Sequence, residues 1–130
     1  MRNLVQVVAY VLIFQLKKRV DKMPIMEISI VPLGTETSSV SGYVASALKI
    51  LEKEEGIKFE LTSMGTIIEA DSLKKLLNIA YKMHQAVFKE GVRRVVTSIK
   101  IDERKDKRIS MNGKIEAVRS KLGRNNERNK

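Results

Sequence analysis

MEISIVPLGTETSSVSGYVASALKIL, residues 26–51, decides the fold. Its opening alternates: Met26, Ile28 and Ile30 fall on one side and Glu27, Ser29 and Val31 on the other. That two-residue period predicts a strand with one buried face, stopped by Pro32. Gly34 and the hydroxyl-rich run Thr35, Thr37, Ser38, Ser39 and Ser41 predict a loop able to cap a helix. Val40, Tyr43, Val44, Ala47, Leu48 and Leu51 then recur at the three-and-four spacing of an amphipathic helix, which ends near Gly56.

Working towards the C-terminus, residues 58–63 alternate again, with Phe59 and Leu61 inward. Met64 and Gly65 predict a tight hairpin turn, and Thr66 to Ala70 a second short strand. Asp71 or Ser72 caps the next helix, whose stripe is Leu73, Leu76, Leu77, Ala80, His84, Val87 and Phe88 and which Gly91 ends. Residues 92–102 form the longest strand, with Val95, Thr97, Ile99 and Ile101 on one face and Val96, Ser98, Lys100 and Asp102 on the other. A short helix near 112–122 and a disordered tail follow. Strand-helix-strand-strand-helix-strand predicts an α+β ferredoxin-like sandwich, βαββαβ plus a C-terminal helix. Its four-stranded antiparallel sheet carries both helices on one face. The other face shows Glu27, Ser29, Glu60, Thr62, Glu69 and Ser98 with Val31 and Val96: polar, without strong charge.

Working towards the N-terminus, Leu4 to Leu16 is mostly apolar and KKR follows. The run is too short to span a bilayer, which takes about 20 residues. It lacks a small-x-small cleavage site, and its positive charge follows the run. A membrane-surface anchor, an extra element on the domain and translated sequence upstream of the true start all fit, and the abrupt start of pattern at Met26 favours the last. The chain therefore divides into an extension (1–25), the domain (26–122) and a basic tail (123–130).

The net charge of +10 over 130 residues suggests a polyanionic partner until it is located. Residues 1–25 carry +4, residues 104–130 carry +7, and residues 26–103 carry −1. The basic excess belongs to the ends, where solvated charge is the plain explanation and weak, salt-sensitive polyanion binding the alternative. The sheet also lacks the outward aromatics with which an RNA-recognition sheet stacks bases. With no Cys and a single His, disulfides, thiolate chemistry and a His-rich zinc site are excluded. His84 lies on an apolar stripe, as a packed, hydrogen-bonded histidine does. No P-loop, HExxH or Ser-His-Asp arrangement is present, so an enzyme is not expected. The hydroxyls at 35–41 outnumber what capping needs and are equally suited to ligand contact. Glu69 is either a solvated strand carboxylate or a partner for a cation or amine.

Three stretches, PLGTETSSVSGYVASALKILEKE, SMGTIIEAD and GVRRVVTSIKIDERKD, together resemble the small thiamine-binding protein family, also called UPF0045. The resemblance covers residues 26–122. It implies a cytoplasmic ferredoxin-like subunit that binds thiamine or its hydroxymethylpyrimidine part and has no established catalysis. It also implies homodimers or homotetramers through sheet packing; a structural or regulatory oligomeric module with no small ligand is the alternative, and the residues themselves favour neither nucleic acid nor a membrane as partner. Matched to the motifs, the implied ligand residues are Thr35, Ser38 and Ser39 in the first loop, Gly65, Thr66 and Glu69 in the second motif, and Thr97 in the last strand. No metal or cofactor is implied beyond thiamine as the ligand.

Overall fold

A computed structural model describes residues 3–21 and 23–128. Its elements are α1 (Leu4–Asp21), β1 (Ile25–Leu33), α2 (Ser41–Glu52), β2 (Lys58–Leu61), β3 (Thr66–Glu69), α3 (Leu73–Phe88), β4 (Arg94–Asp102) and α4 (Met111–Arg128). The strands form one sheet in the order β2-β3-β1-β4 with every neighbour antiparallel. This is the expected ferredoxin-like α+β sandwich, with β1 and β3 central.

The alternation in β1 is the organising feature. Met26, Ile28 and Ile30 are buried against the helix layer, while Glu27 and Val31 are exposed. The register carries that division across the sheet. Met26 lies opposite Ile68 and Ile101, and Ile28 opposite Thr66 and Ile99, so all of these face the helices. Ile25 lies opposite Glu69 and Asp102, which face the other way. Leu51 and Ala47 of α2 and Leu76, Ile79, Ala80, Met83 and Val87 of α3 complete the core.

Several elements differ from expectation. Pro32 does not stop β1, which continues to Leu33 with Pro32 opposite Val95. β3 pairs with β1 only as far as Ile28, so an N–H is not needed on that side at Pro32. β4 starts at Arg94 rather than at residue 92. The buried stripe of α3 includes Ile79 and Met83 and leaves Leu77 exposed, because the core meets the helix about one residue round from the face first read. Ser72, not Asp71, caps α3, accepting the Lys75 N–H at 3.2 Å. The N-cap of α2 is Val40, without a side-chain cap, so the loop hydroxyls do not serve that purpose. The C-terminal helix is longer than read: α4 runs through Arg128, taking in most of the segment expected to be disordered, while residues 129 and 130 lie outside the described residues. The helix holds no Pro, and Gly123, Asn125 and Asn126, read as its end, weaken it without breaking it. The extension forms a helix, α1, whose apolar side chains from Leu4 to Phe14 are exposed. Among the described residues no helix is long and apolar enough to cross a membrane.

Candidate functional site

Among the described residues, three cavities border the sheet, and most of the residues implied as ligand contacts lie in or near them. The first, about 280 Å³, lies between β1, α2 and the β2–β3 turn, where Ser29, Ile30, Val44, Leu48, Gly65 and Thr66 line it. The turn is built by Thr62. Its N–H donates to the Gly65 carbonyl at 2.8 Å, and its hydroxyl oxygen accepts the Gly65 N–H at 3.1 Å. A Cβ on Gly65 would lie 3.0 Å from the Ile28 carbonyl oxygen, so glycine permits this close approach of the turn to β1 and a larger residue would press the two backbones apart by a few tenths of an ångström. Thr66 is buried on the helix side of β3.

The second cavity, about 490 Å³, lies at the other end of the sheet and is lined in part by Lys58, Glu60, Glu69, Ser110 and Met111. Glu69 faces away from Ile68, as alternation predicts, yet it is only 2% exposed because the start of α4 covers it. Its Oε2 accepts the Met111 N–H at 2.8 Å, and Ser110 Oγ accepts the Gly113 N–H at 3.0 Å. Two of the free N–H groups at the start of α4 are thereby satisfied, and a negative charge sits at the positive end of the helix dipole. Lys114 pairs with Asp102 of β4 beside them. Glu69 is therefore neither a solvated strand carboxylate nor fully free for a ligand.

The third cavity, about 760 Å³, opens between the loop after β1 and the start of β4, with Thr35, Thr37, Tyr43, Glu90, Arg93 and Arg94 on its wall. Here the hydroxyls bond among themselves: Thr35 Oγ1 donates to the Thr37 carbonyl at 2.6 Å, and Thr37 Oγ1 accepts the Ser39 N–H at 3.1 Å. Ser38 and Ser39 are exposed. Thr97 reaches none of these cavities. It faces α3, where its Oγ1 lies 2.6 Å from His84 Nδ1, and His84 packs edge-on to Phe88. His84 is the packed, hydrogen-bonded histidine its position predicts.

Within one subunit, then, Gly65 and Thr66 share a wall, Thr35 lies near Ser38 and Ser39, and Glu69 and Thr97 stand apart. The sequence reading missed Ser110 and Met111 at the Glu69 end, although the serine before a helical run is a recognisable cap signal. It also missed Val44 and Leu48 as cavity walls, since helical spacing marks them only as core. Among the described residues no group of three or more His, Cys, Asp or Glu could hold a metal ion.

A ferredoxin-like α+β sandwich with a small apolar cleft at a strand edge is the class of protein these elements define. The family is specific. The thiamine-binding protein model matches residues 26–119, and the chain belongs to that family. It is 47% identical over 103 residues to the UPF0045 protein YqgV of Bacillus subtilis, covering 77% of this chain and 98% of that one. To the UPF0045 protein of Methanothermobacter thermautotrophicus it is 38% identical over 96 residues, 74% of this chain and 96% of the relative. The crystal structure of MJ1052 from Methanocaldococcus jannaschii superposes with a TM-score of 0.68 at 40% identity, over 74% of this chain and 95% of that chain.

Proposed function

We propose that this protein is a cytoplasmic, oligomeric small-ligand-binding protein that takes thiamine or a hydroxymethylpyrimidine-like compound and performs no catalysis. Membership of the thiamine-binding family carries the reading. The cavity beside Gly65 and Thr66 supports it: mostly apolar walls with a few polar groups are what a small heterocycle needs. At about 280 Å³, the cavity lies just below the range usual for such sites, which begins near 300 Å³, and so suits one ring better than two. Exposed apolar residues support self-association. Val31, Leu33 and Val96 stand on the sheet face away from α2 and α3, and Ile115, Val118 and Leu122 form a stripe along α4. A homodimer or homotetramer through these surfaces would cover both. The test is isothermal calorimetry of the purified, folded protein with thiamine and with 4-amino-5-hydroxymethyl-2-methylpyrimidine. Saturable heat is expected; none at millimolar ligand sinks the reading. A single-subunit mass in sedimentation equilibrium sinks the oligomer.

A further inference from the structure

Resting on that small-ligand reading, we infer that the free edge of β1 beyond Ile28 reads the ligand. The backbone N–H and C=O of Ile30 receive the adjacent acceptor and donor of a planar amino-substituted nitrogen heteroaromatic ring lying in the cavity beside α2. β1 pairs with β4 along its whole length from Ile25 to Leu33, but with β3 only from Ile25 to Ile28. Past Ile28 the β2–β3 turn bends away, and the gap it leaves is the 280 Å³ cavity. The Ile28 carbonyl is directed at Gly65, on the β3 side. In an antiparallel strand the N–H and C=O of one residue point to the same edge, and alternate residues share that edge. Ile30 and Pro32 therefore present their backbone groups to the same side as Ile28, and no strand meets them there. Pro32 has no N–H, so the edge offers one donor, at Ile30, and acceptors at Ile30 and Pro32.

Unpaired strand groups beside an apolar cavity call for a partner that satisfies them. Another strand would need the space beside β1 that the β2–β3 turn borders. A flat ring does not: its nitrogen accepts from the Ile30 N–H, its exocyclic amine donates to the Ile30 carbonyl, and one of its faces lies against Val44 and Leu48 of α2. This recognition depends on the order of donor and acceptor in the ligand, and an analogue with that order reversed leaves two backbone groups unsatisfied.

The experiment uses the full chain, labelled with nitrogen-15, titrated with 4-amino-5-hydroxymethyl-2-methylpyrimidine and with its 4-oxo analogue. Amide shifts centred on Ile30 and Gly65 are expected, with at least tenfold weaker binding of the 4-oxo compound. Val44→Trp, which fills the cavity, is expected to abolish the shifts while leaving an unchanged thermal melt; Leu48→Phe serves as the second filling variant if the first fails to fold. Shifts centred on Glu69 and Met111, or on Thr35 and Arg94, would overturn the inference while leaving ligand binding intact. So would equal affinity for the two compounds. No shift with either pyrimidine or with thiamine would overturn both this inference and the proposed function.

Discussion

The helices α1 and α4 each span 18 residues, both lie outside the βαββαβ core and both leave their described side chains almost wholly exposed, yet they differ in apolar content and in how their starts are held. α1 is rich in apolar side chains, and those described are exposed. α4 is polar along most of its length, but its first turn is fixed by Glu69, Ser110 and the Lys114–Asp102 pair, with Ile109 buried just ahead of it. The difference teaches that attachment here follows a few placed hydrogen bonds at a helix start rather than apolar content. Hydrophobic side chains add stability only where a complementary surface receives them.

That contrast can be broken at several points. Replacing Glu69 with alanine should have the largest effect, because it strips the acceptor from the Met111 N–H in a nearly closed site. A loss of about 1–3 kcal/mol is expected by urea denaturation, with faster hydrogen exchange confined to the first turns of α4. Undiminished protection there would show that α4 is held by something else. Ser110→Ala removes the local cap and should cost about 1 kcal/mol, read in the same exchange experiment as fraying at Gly113. Asp102→Asn breaks a half-exposed ion pair, so a change of roughly 0.2–1 kcal/mol is expected, shrinking further in high salt. Removing residues 1–22 should be the smallest perturbation: the urea midpoint should stay within about 0.5 kcal/mol of the intact chain. A larger drop would show that α1 supports the domain after all.

How much of this was legible in the sequence follows from the range over which each signal acts. The alternation of Met26, Ile28 and Ile30 is local, and it assigned the buried face of β1 and the outward side of Glu69; Phe59 and Leu61 do turn to the helix side opposite Ile68 and Thr66, but both stay exposed because β2 is the edge of the sheet. The phase of α3 was less secure. Leu73, Leu77 and Met83 offer apolar groups on more than one side of the helix, and only the sheet decides which side is buried. Pro32 misled because a proline's cost depends on whether a neighbouring strand needs its N–H, and β3 ends before that point. The partner of Glu69 lies 42 residues away at Met111, a distance at which no periodicity speaks. The cavity at Ile30 is the same kind of case: it needs a strand edge, a helix and a turn at once. The motif around Gly65 and Thr66 flagged one of its walls, and nothing in the pattern flagged the empty edge opposite.

The close approach of Gly65 to the Ile28 carbonyl gives that position a double allegiance. It marks where β3 stops pairing with β1 and where the cavity begins, so one backbone position acts as both clasp and doorstop. A methyl group there would press the turn and the Ile28 carbonyl apart by a few tenths of an ångström, moving the cavity wall and the end of the ladder together. Mutational searches for tighter or broader ligand binding would therefore meet a coupled response at residue 65, whereas Val44 and Leu48 on the opposite wall offer adjustments of cavity shape that leave strand pairing alone.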